Sequence, residues 1–337
     1  MTKPYQPPFT LTHGLIKQVA EIAELLGQWK AANQDALLPK LRRSNRIKTI
    51  QASLAVEQNT LSIEQVTAVI EGKTVLGQPR EIQEVRNAFA AYEAMTDWQP
   101  NKLEDLLTAH DILMHGLAND AGLLRTGGTG IYQGKELVHM APPAGQLPRL
   151  MDNLFNWLTN TEAHPLIASA AFHYEFEFIH PFSDGNGRMG RLWQTLILSQ
   201  WQPVLAYLPV ETVIKQQQSE YYRLLGEADK NTDCTDFIHF LLEAIQNSLQ
   251  EALLVQIAAQ SETRVEVQVE TRVQIPIKTP DEIIELLQQQ PELSLAEIAK
   301  HIGRATSTVE RAVAKLKQQG KLEYIGAKKG GHWKVIL

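Results

Sequence analysis

A mainly α-helical chain carrying one β-hairpin and a small C-terminal winged helix-turn-helix is the fold class that three observations predict. Apolar residues recur every three or four positions through most of the first 260 residues, the spacing that gives a helix one buried stripe. One glycine-rich interruption, residues 123–143, carries short β-type runs on either side of Gln133-Gly134-Lys135. From Thr279 onward come three short capped helical segments and two closing strand-like runs.

Taken in order, helical spacing covers residues 15–29, 50–56, 63–70, 82–95 and 103–113. The interruption follows, its hairpin stopped at Pro142-Pro143, and a hairpin among helices suits a lid. Helices resume at 147–158 and 166–178, the second ended by Pro181, which disfavours helical geometry at His180. Further helical segments cover 192–200, 213–225 and 235–259. The pattern then changes: Glu262-Thr263-Arg264-Val265 recurs as Glu270-Thr271-Arg272-Val273 with alternating apolar residues, which reads as an extended linker, with an extension of the preceding helix as the alternative. In the tail, Thr279 reads as an N-cap with Pro280 at the first helical position and Glu282 closing a capping box. Ser294 with Glu297, and Ser307 with Glu310, start the next two helices, and residues 321–337 form the wing. The expected organisation is an N-terminal helical region over 1–100, a core over 101–260, a linker over 261–278 and the winged helix over 279–337.

With 32 Lys and Arg against 38 Asp and Glu, the net charge of −6 argues against a chain that binds nucleic acid over its whole surface. The charge is uneven, however. From Lys300 onward nine basic residues face only Glu310 and Glu323, a net +7 before the carboxyl terminus, so DNA is a candidate partner of the winged helix and a DNA-binding regulator is an alternative function, while winged helices also serve as protein-interaction or dimer modules. The single cysteine, Cys234, excludes an internal disulfide framework. The amino end lacks the pattern of a signal peptide, and no apolar run approaches the roughly 18 residues that span a bilayer. No membrane partner is expected, and the cytoplasm is the expected compartment.

The densest chemistry lies in HPFSDGNGRMGR, residues 180–191. A histidine fixed at a helix end by the following proline suits a general base, and Asp184 suits a hard cation such as Mg²⁺. Gly185-Asn186-Gly187 lets backbone N–H groups converge at the start of a helix, a cradle for phosphate oxygens, while Arg188 and Arg191 lie three apart on one helix face. Alone, Asp-Gly-Asn-Gly is commonly a surface turn. His173, Glu177 and His180 also share the spacing of a metal-binding bundle, but the second motif such a site needs occurs only as Glu136 and His139 in the hairpin. A P-loop at Gly72-Lys73-Thr74 fails because position 67 is Thr67.

The whole motif is similar to the signature of the Fic family, His-x-Phe-x-Asp/Glu-Gly-Asn-Gly-Arg-x-x-Arg, with every fixed position filled. The stretch IKTIQASLAVEQNTLSIEQV resembles the inhibitory helix of that family, Ser/Thr-x-x-x-Glu-Gly/Asn, which assigns Ser53 and Glu57 to it; Gln58 departs from the Gly/Asn position and Asn59 follows directly. The hairpin resembles the family flap, SEYYRLL resembles the segment whose first tyrosine lies beside adenine, and the tail resembles the winged-helix appendage of some members. The likeness runs over about residues 7–249.

The resemblance implies a Fic-type helical bundle and a protein adenylyltransferase, moving AMP from ATP to a Ser, Thr or Tyr hydroxyl of a target protein or of the chain itself. His180 would be the base and Asp184 the Mg²⁺ ligand. Gly185, Asn186, Gly187, Arg188, Met189, Gly190 and Arg191 would hold the phosphates, with Asn186 on α, Arg188 on β and Arg191 on γ. Tyr221 would lie beside adenine. Glu57, with Ser53, would enter the nucleotide site and pair with Arg191 to inhibit. The flap over residues 131–139 would align a target strand by main-chain hydrogen bonds. Family relatives that remove AMP or transfer other groups define the alternative reactions, and a second copy of the chain is a further candidate partner.

Overall fold

The structure is a computed structural model that describes residues 5–32, 39–133, 136–273, 279–327 and 330–336. The chain divides into two compact units, Met1–Ile257 and Ala258–Leu337. Among the described residues, no helix is long and apolar enough to cross a membrane.

The first unit is built on α1 (His13–Ala32), α2 (Pro39–Val56), α3 (Ile63–Ile70), α4 (Pro79–Ala94) and α5 (Leu103–Met114). The hairpin β1 (Gly130–Gln133) and β2 (Glu136–Met140) comes next, followed by α6 (Leu147–Asn160), α7 (Pro165–Ile179), α8 (Asn186–Trp201), α9 (Val210–Gln216), α10 (Gln218–Asn231) and the part of α11 (Thr235–Val273) that precedes Ala258. Helices α7 and α8 form the centre. Helix α7 is apolar nearly all round and is buried from Leu166 almost to its end, the expected state of a helix without a polar face. The strands pair antiparallel, Gly130 opposite Met140 and Ile131 opposite His139, with a register shift after Ile131. The predicted turn residues Gly134 and Lys135 lie outside the described residues.

Helix α2 packs against α9, α3, α4 and α8 through a face that includes the buried Ile47, Ile50 and Leu54. Its end is held from outside, because Gln218 Nε2 donates to the carbonyl of Val56 at 2.8 Å. Gln58 then turns the chain with φ +68°, a left-handed backbone that glycine or asparagine adopts far more readily. The N-terminal arm is tied to the start of α11: the Cys234 N–H donates to Pro8 O at 2.7 Å, the Thr10 N–H donates to Thr235 Oγ1 at 2.9 Å, and Cys234 itself is buried.

Two expectations need correction. The single helix predicted over 213–225 is two, α9 and α10, broken at Gln217 where the Gln-rich sequence offers no apolar contact to continue the first and where the chain turns to cap α2. Residues 261–273 are helical, as the end of α11, so the alternative of a helix extension holds and the extended linker does not. Extending an existing helix avoids the cost of nucleation, and the Glu, Gln and Arg between the valines are good helix formers.

The second unit contains α12 (Thr279–Gln289), α13 (Leu295–His301), α14 (Thr306–Gln318), and the antiparallel pair β3 (Leu322–Ile325) and β4 (His332–Val335). Ile283, Leu287, Ile298, Val309, Val313, Leu316, Leu322 and Trp333 make its core. The capping box of Ser294 and Glu297 is formed as expected, at 3.3 and 2.9 Å. Ser307 is not a cap: α14 starts one residue earlier, with Ala305 at the N-cap position and no side-chain bond there. The side chain of Thr279 lies outside the described residues.

Candidate active site

The loop between α7 and α8 carries the site. Helix α7 stops because Pro181 follows, and His180 takes a left-handed backbone, φ +49° and ψ 62°, while its N–H still donates to Phe176 O at 2.9 Å. Its side chain is only 16% exposed and its Nδ1, 4.0 Å from Glu177 Oε2, has no well-aligned hydrogen-bond partner. Burial pushes the ring down to about 4, so it is neutral at pH 7 and able to accept a proton. Burial pushes the Glu177 carboxyl up to about 8 against the pull of Arg191, and its Oε1 is also without a partner.

Gly185 opens α8 with φ +84° and lies so close to Met114 that a Cβ there would meet Sδ at 2.7 Å. Asn186 holds the loop closed: its Oδ1 accepts from Phe182 N and its Nδ2 donates to Phe182 O, both at 2.9 Å. The expected contact of Asn186 with an α-phosphate therefore has only its backbone N–H to draw on. Arg188 donates to Asp184 Oδ1 at 3.0 Å and lies 3.5 Å from Glu84 Oε1, yet its buried Nε and Nη1 have no hydrogen-bond partner. Asp184 is 43% exposed and also accepts from Arg80 Nη2 at 2.9 Å. Arg191, 1% exposed, donates to Ser53 Oγ, Ser53 O and Glu57 Oε1 at 3.0, 3.0 and 2.7 Å. Burial works against its charge, and Glu57 works for it. The Glu57 carboxylate sits over the first turn of α8, where a Cβ on Gly187 would collide with Oε1. An anion thus occupies the positive end of a helix. Met189 is core, and Gly190 packs so tightly on Glu177 that a Cβ there would come within 2.8 Å of Oε1.

Tyr221 is 1% exposed and its hydroxyl bonds His173 Nε2 at 2.9 Å. The neighbouring half-buried Tyr222 lines a small cleft with His139, Tyr174, Glu177, Phe178 and Leu225. Both nitrogens of His173 are engaged, Nδ1 by Gln194 Oε1 at 2.7 Å, which leaves no lone pair for a metal shared with Glu177 and His180. Sequence reasoning missed several contributors. His110 stacks on Phe182 at 3.6 Å between ring centroids and, with Nδ1 accepting from the Gly122 N–H, donates from Nε2 to Asp184 O at 3.0 Å. Glu84 joins Arg188 to Asn59 at the end of α2, and Arg125 grips the loop from the far side. The signal for His110 was a lone histidine on an otherwise apolar helix face.

A crystal structure of a Fic family protein from Desulfovibrio desulfuricans G20 is 47% identical to this chain, with a TM-score of 0.72 over 98% of each. The chain belongs to the Fic family. The profile of the Fic/DOC family matches residues 100–198, which hold α5, the flap and the His180 loop, and a profile described as winged helix-turn-helix DNA-binding matches residues 282–323. The protein adenylyltransferase Fic of Culex quinquefasciatus is 31% identical over 226 residues, 64% of this chain and 43% of that one. The protein adenylyltransferase fic-1 of Caenorhabditis elegans is 30% identical over 248 residues, 69% and 46%. This Fic protein therefore spans about half the length of the curated relatives it matches.

Proposed function

We propose that this Fic protein transfers AMP from ATP to a hydroxyl of a protein target, and that Glu57 holds it in a low-activity state. The observation that carries the reading is a neutral, buried histidine beside a helix N-terminus whose two arginines face inward, one with unpartnered N–H groups and one held by a carboxylate. ATP laid with its phosphates on the first turn of α8 would take its β-phosphate to Arg188 and its γ-phosphate to Arg191. The target oxygen would attack the α-phosphorus, His180 would accept its proton, and the bond to the bridging oxygen would break to release pyrophosphate. Incoming phosphate charge raises the basicity of His180 from its low resting value. A single partly exposed carboxylate, Asp184, fits Mg²⁺, which keeps waters and substrate phosphates as its other ligands. The ion would supply charge neutralisation on the phosphates. While Glu57 remains on Arg191, the γ-phosphate lacks its cation and the α-phosphorus is misaligned.

Intact-mass measurement of the protein after incubation with ATP and Mg²⁺ tests the reading. An AMP-sized gain on the chain or on an added lysate protein, absent from His180→Ala, is expected; no gain with either wild type or Glu57→Gly refutes it. A second reading concerns the C-terminal unit alone, where exposed Arg304, Arg311 and Lys315 on and beside α14, together with the profile match, favour contact with DNA phosphates. Such binding must weaken steeply between two salt concentrations, and salt-independent retention would count against it.

A further inference from the structure

The C-terminal carbonyls of α7 are capped from the flap side, and one residue does most of it. Arg125 lies just before β1 and is buried. Its Nε donates to His180 O at 2.7 Å, its Nη2 to Ile179 O at 3.2 Å, and its backbone N–H to Pro181 O at 2.9 Å. The same guanidinium holds both ends of the hairpin, Nη1 donating to Gly127 O at 2.8 Å and Nη2 to Pro142 O at 2.6 Å. His139 of β2 completes the row by bonding Phe178 O through Nε2 at 2.8 Å. Four consecutive carbonyls, Phe178 to Pro181, thus accept from the flap and its stem. These are groups a helix end leaves without partners, and a cation there also meets the negative end of the helix dipole. The hydrogen bonds fall on a residue, His180, whose left-handed backbone is unfavourable outside glycine.

We propose that Arg125 is the positioning residue that joins the flap to His180, so that a target strand laid on the flap and the histidine that receives its proton move as one body. The guanidinium of Arg125 is engaged by backbone carbonyls and acts through the backbone it holds. A lysine has one ammonium where arginine has a fork, and it cannot reach the Gly127 and Pro142 carbonyls together with those of Ile179 and His180.

Hydrogen exchange on the full chain without nucleotide tests the join directly. In Arg125→Lys, and in Arg125→Gln where that variant folds, amides of residues 130–140 and of 179–186 should gain exchange together, by at least about tenfold, while α8 beyond its first turn keeps its protection. Loosening of the flap alone, of the loop alone, or of neither overturns the proposal. A second arm rests on the AMP-transfer reading: in a Glu57→Gly background, Arg125→Lys should lower the rate of AMP incorporation about 100-fold while leaving the ATP-induced rise in Tm unchanged. Loss of that rise in step with the rate would make Arg125 a binding or folding residue and overturn the proposal. If Glu57→Gly itself incorporates no AMP, the transfer reading fails, and the exchange arm still decides the role of Arg125.

Discussion

Replacing Glu57 by glycine takes one carboxylate away from a guanidinium that has almost no water around it. The bond lost is the 2.7 Å contact from Arg191 Nη2 to Glu57 Oε1, while Ser53 keeps accepting through both Oγ and its carbonyl. A hydrogen bond to a charged group contributes about 1.5–3 kcal/mol, and because Glu57 is 32% exposed the lower half of that range applies. The variant should therefore melt about 3–8 °C below wild type. ATP should reverse the order of response, raising the Tm of Glu57→Gly more than that of wild type, because its γ-phosphate no longer has to displace an anion already bound. If the released free energy goes into aligning the α-phosphorus, about 1.5–2.2 kcal/mol converts to a gain in AMP incorporation of about 10- to 40-fold. Calorimetry with and without ATP, paired with intact-mass time courses, reads both quantities on the same protein. Equal rates in wild type and Glu57→Gly, with His180→Ala inactive, would refute the inhibitory role; an unchanged Tm would refute the energetic argument independently.

The other expected outcomes follow from the same geometry. His180→Ala should abolish AMP incorporation while ATP affinity stays within about twofold, since it removes the base and no phosphate contact; parallel losses would count against the role. Asp184→Asn should raise the Mg²⁺ concentration needed for half-maximal rate, and indifference to Mg²⁺ would sink the ligand assignment. Glu175 and Glu177 are raised by burial to about 7 and about 8, above ordinary carboxylates, so the folded state holds protons the unfolded state releases, and stability falls as pH climbs from the unfolded value through those two. His173 and His180, lowered to about 4, act oppositely and add stability between about 4 and 6.5, so the net decline should show between pH 6.5 and 8. Glu177→Gln should flatten it in urea titrations at several pH values, and an unchanged slope would mean the carboxyl is ionised in the fold. Gln58→Gly should raise the Tm by about 2–4 °C by relieving the left-handed backbone, and it should lower basal AMP incorporation; a lower Tm would show that no strain is stored there.

Much of this was legible in the sequence because the information was local. Spacing of apolar residues gave the helices around the core, and the site loop is a contiguous run whose histidine, acid, glycines and arginines arrive together once Pro181 ends one helix and Gly185 starts the next. What was not legible depends on approach in space. Arg125 is 55 residues from His180 and nothing in its neighbours marks it; His110 is 74 from Asp184, and its place on an apolar helix face does not say which loop it meets. Tyr221 and Tyr222 were indistinguishable by type, and only the break at Gln217, which sets the rotation of α10, decides which ring turns into the core. The valine alternation after Gln260 carried a strand signal that a helix already under way overrode.

The thiol of Cys234 offers a timekeeper that needs no engineering. It is the only sulfhydryl in the chain, it is fully buried, and its own backbone N–H anchors the N-terminal arm through Pro8. Burial also pushes the thiol well above the ordinary range, so what little reagent arrives meets almost no thiolate. Alkylation can then proceed only as fast as the arm lifts away or the unit unfolds. Comparing the labelling rate at rising reagent concentration separates the two limits: a plateau reports the opening rate itself, and a linear rise reports the fraction of molecules open at any moment.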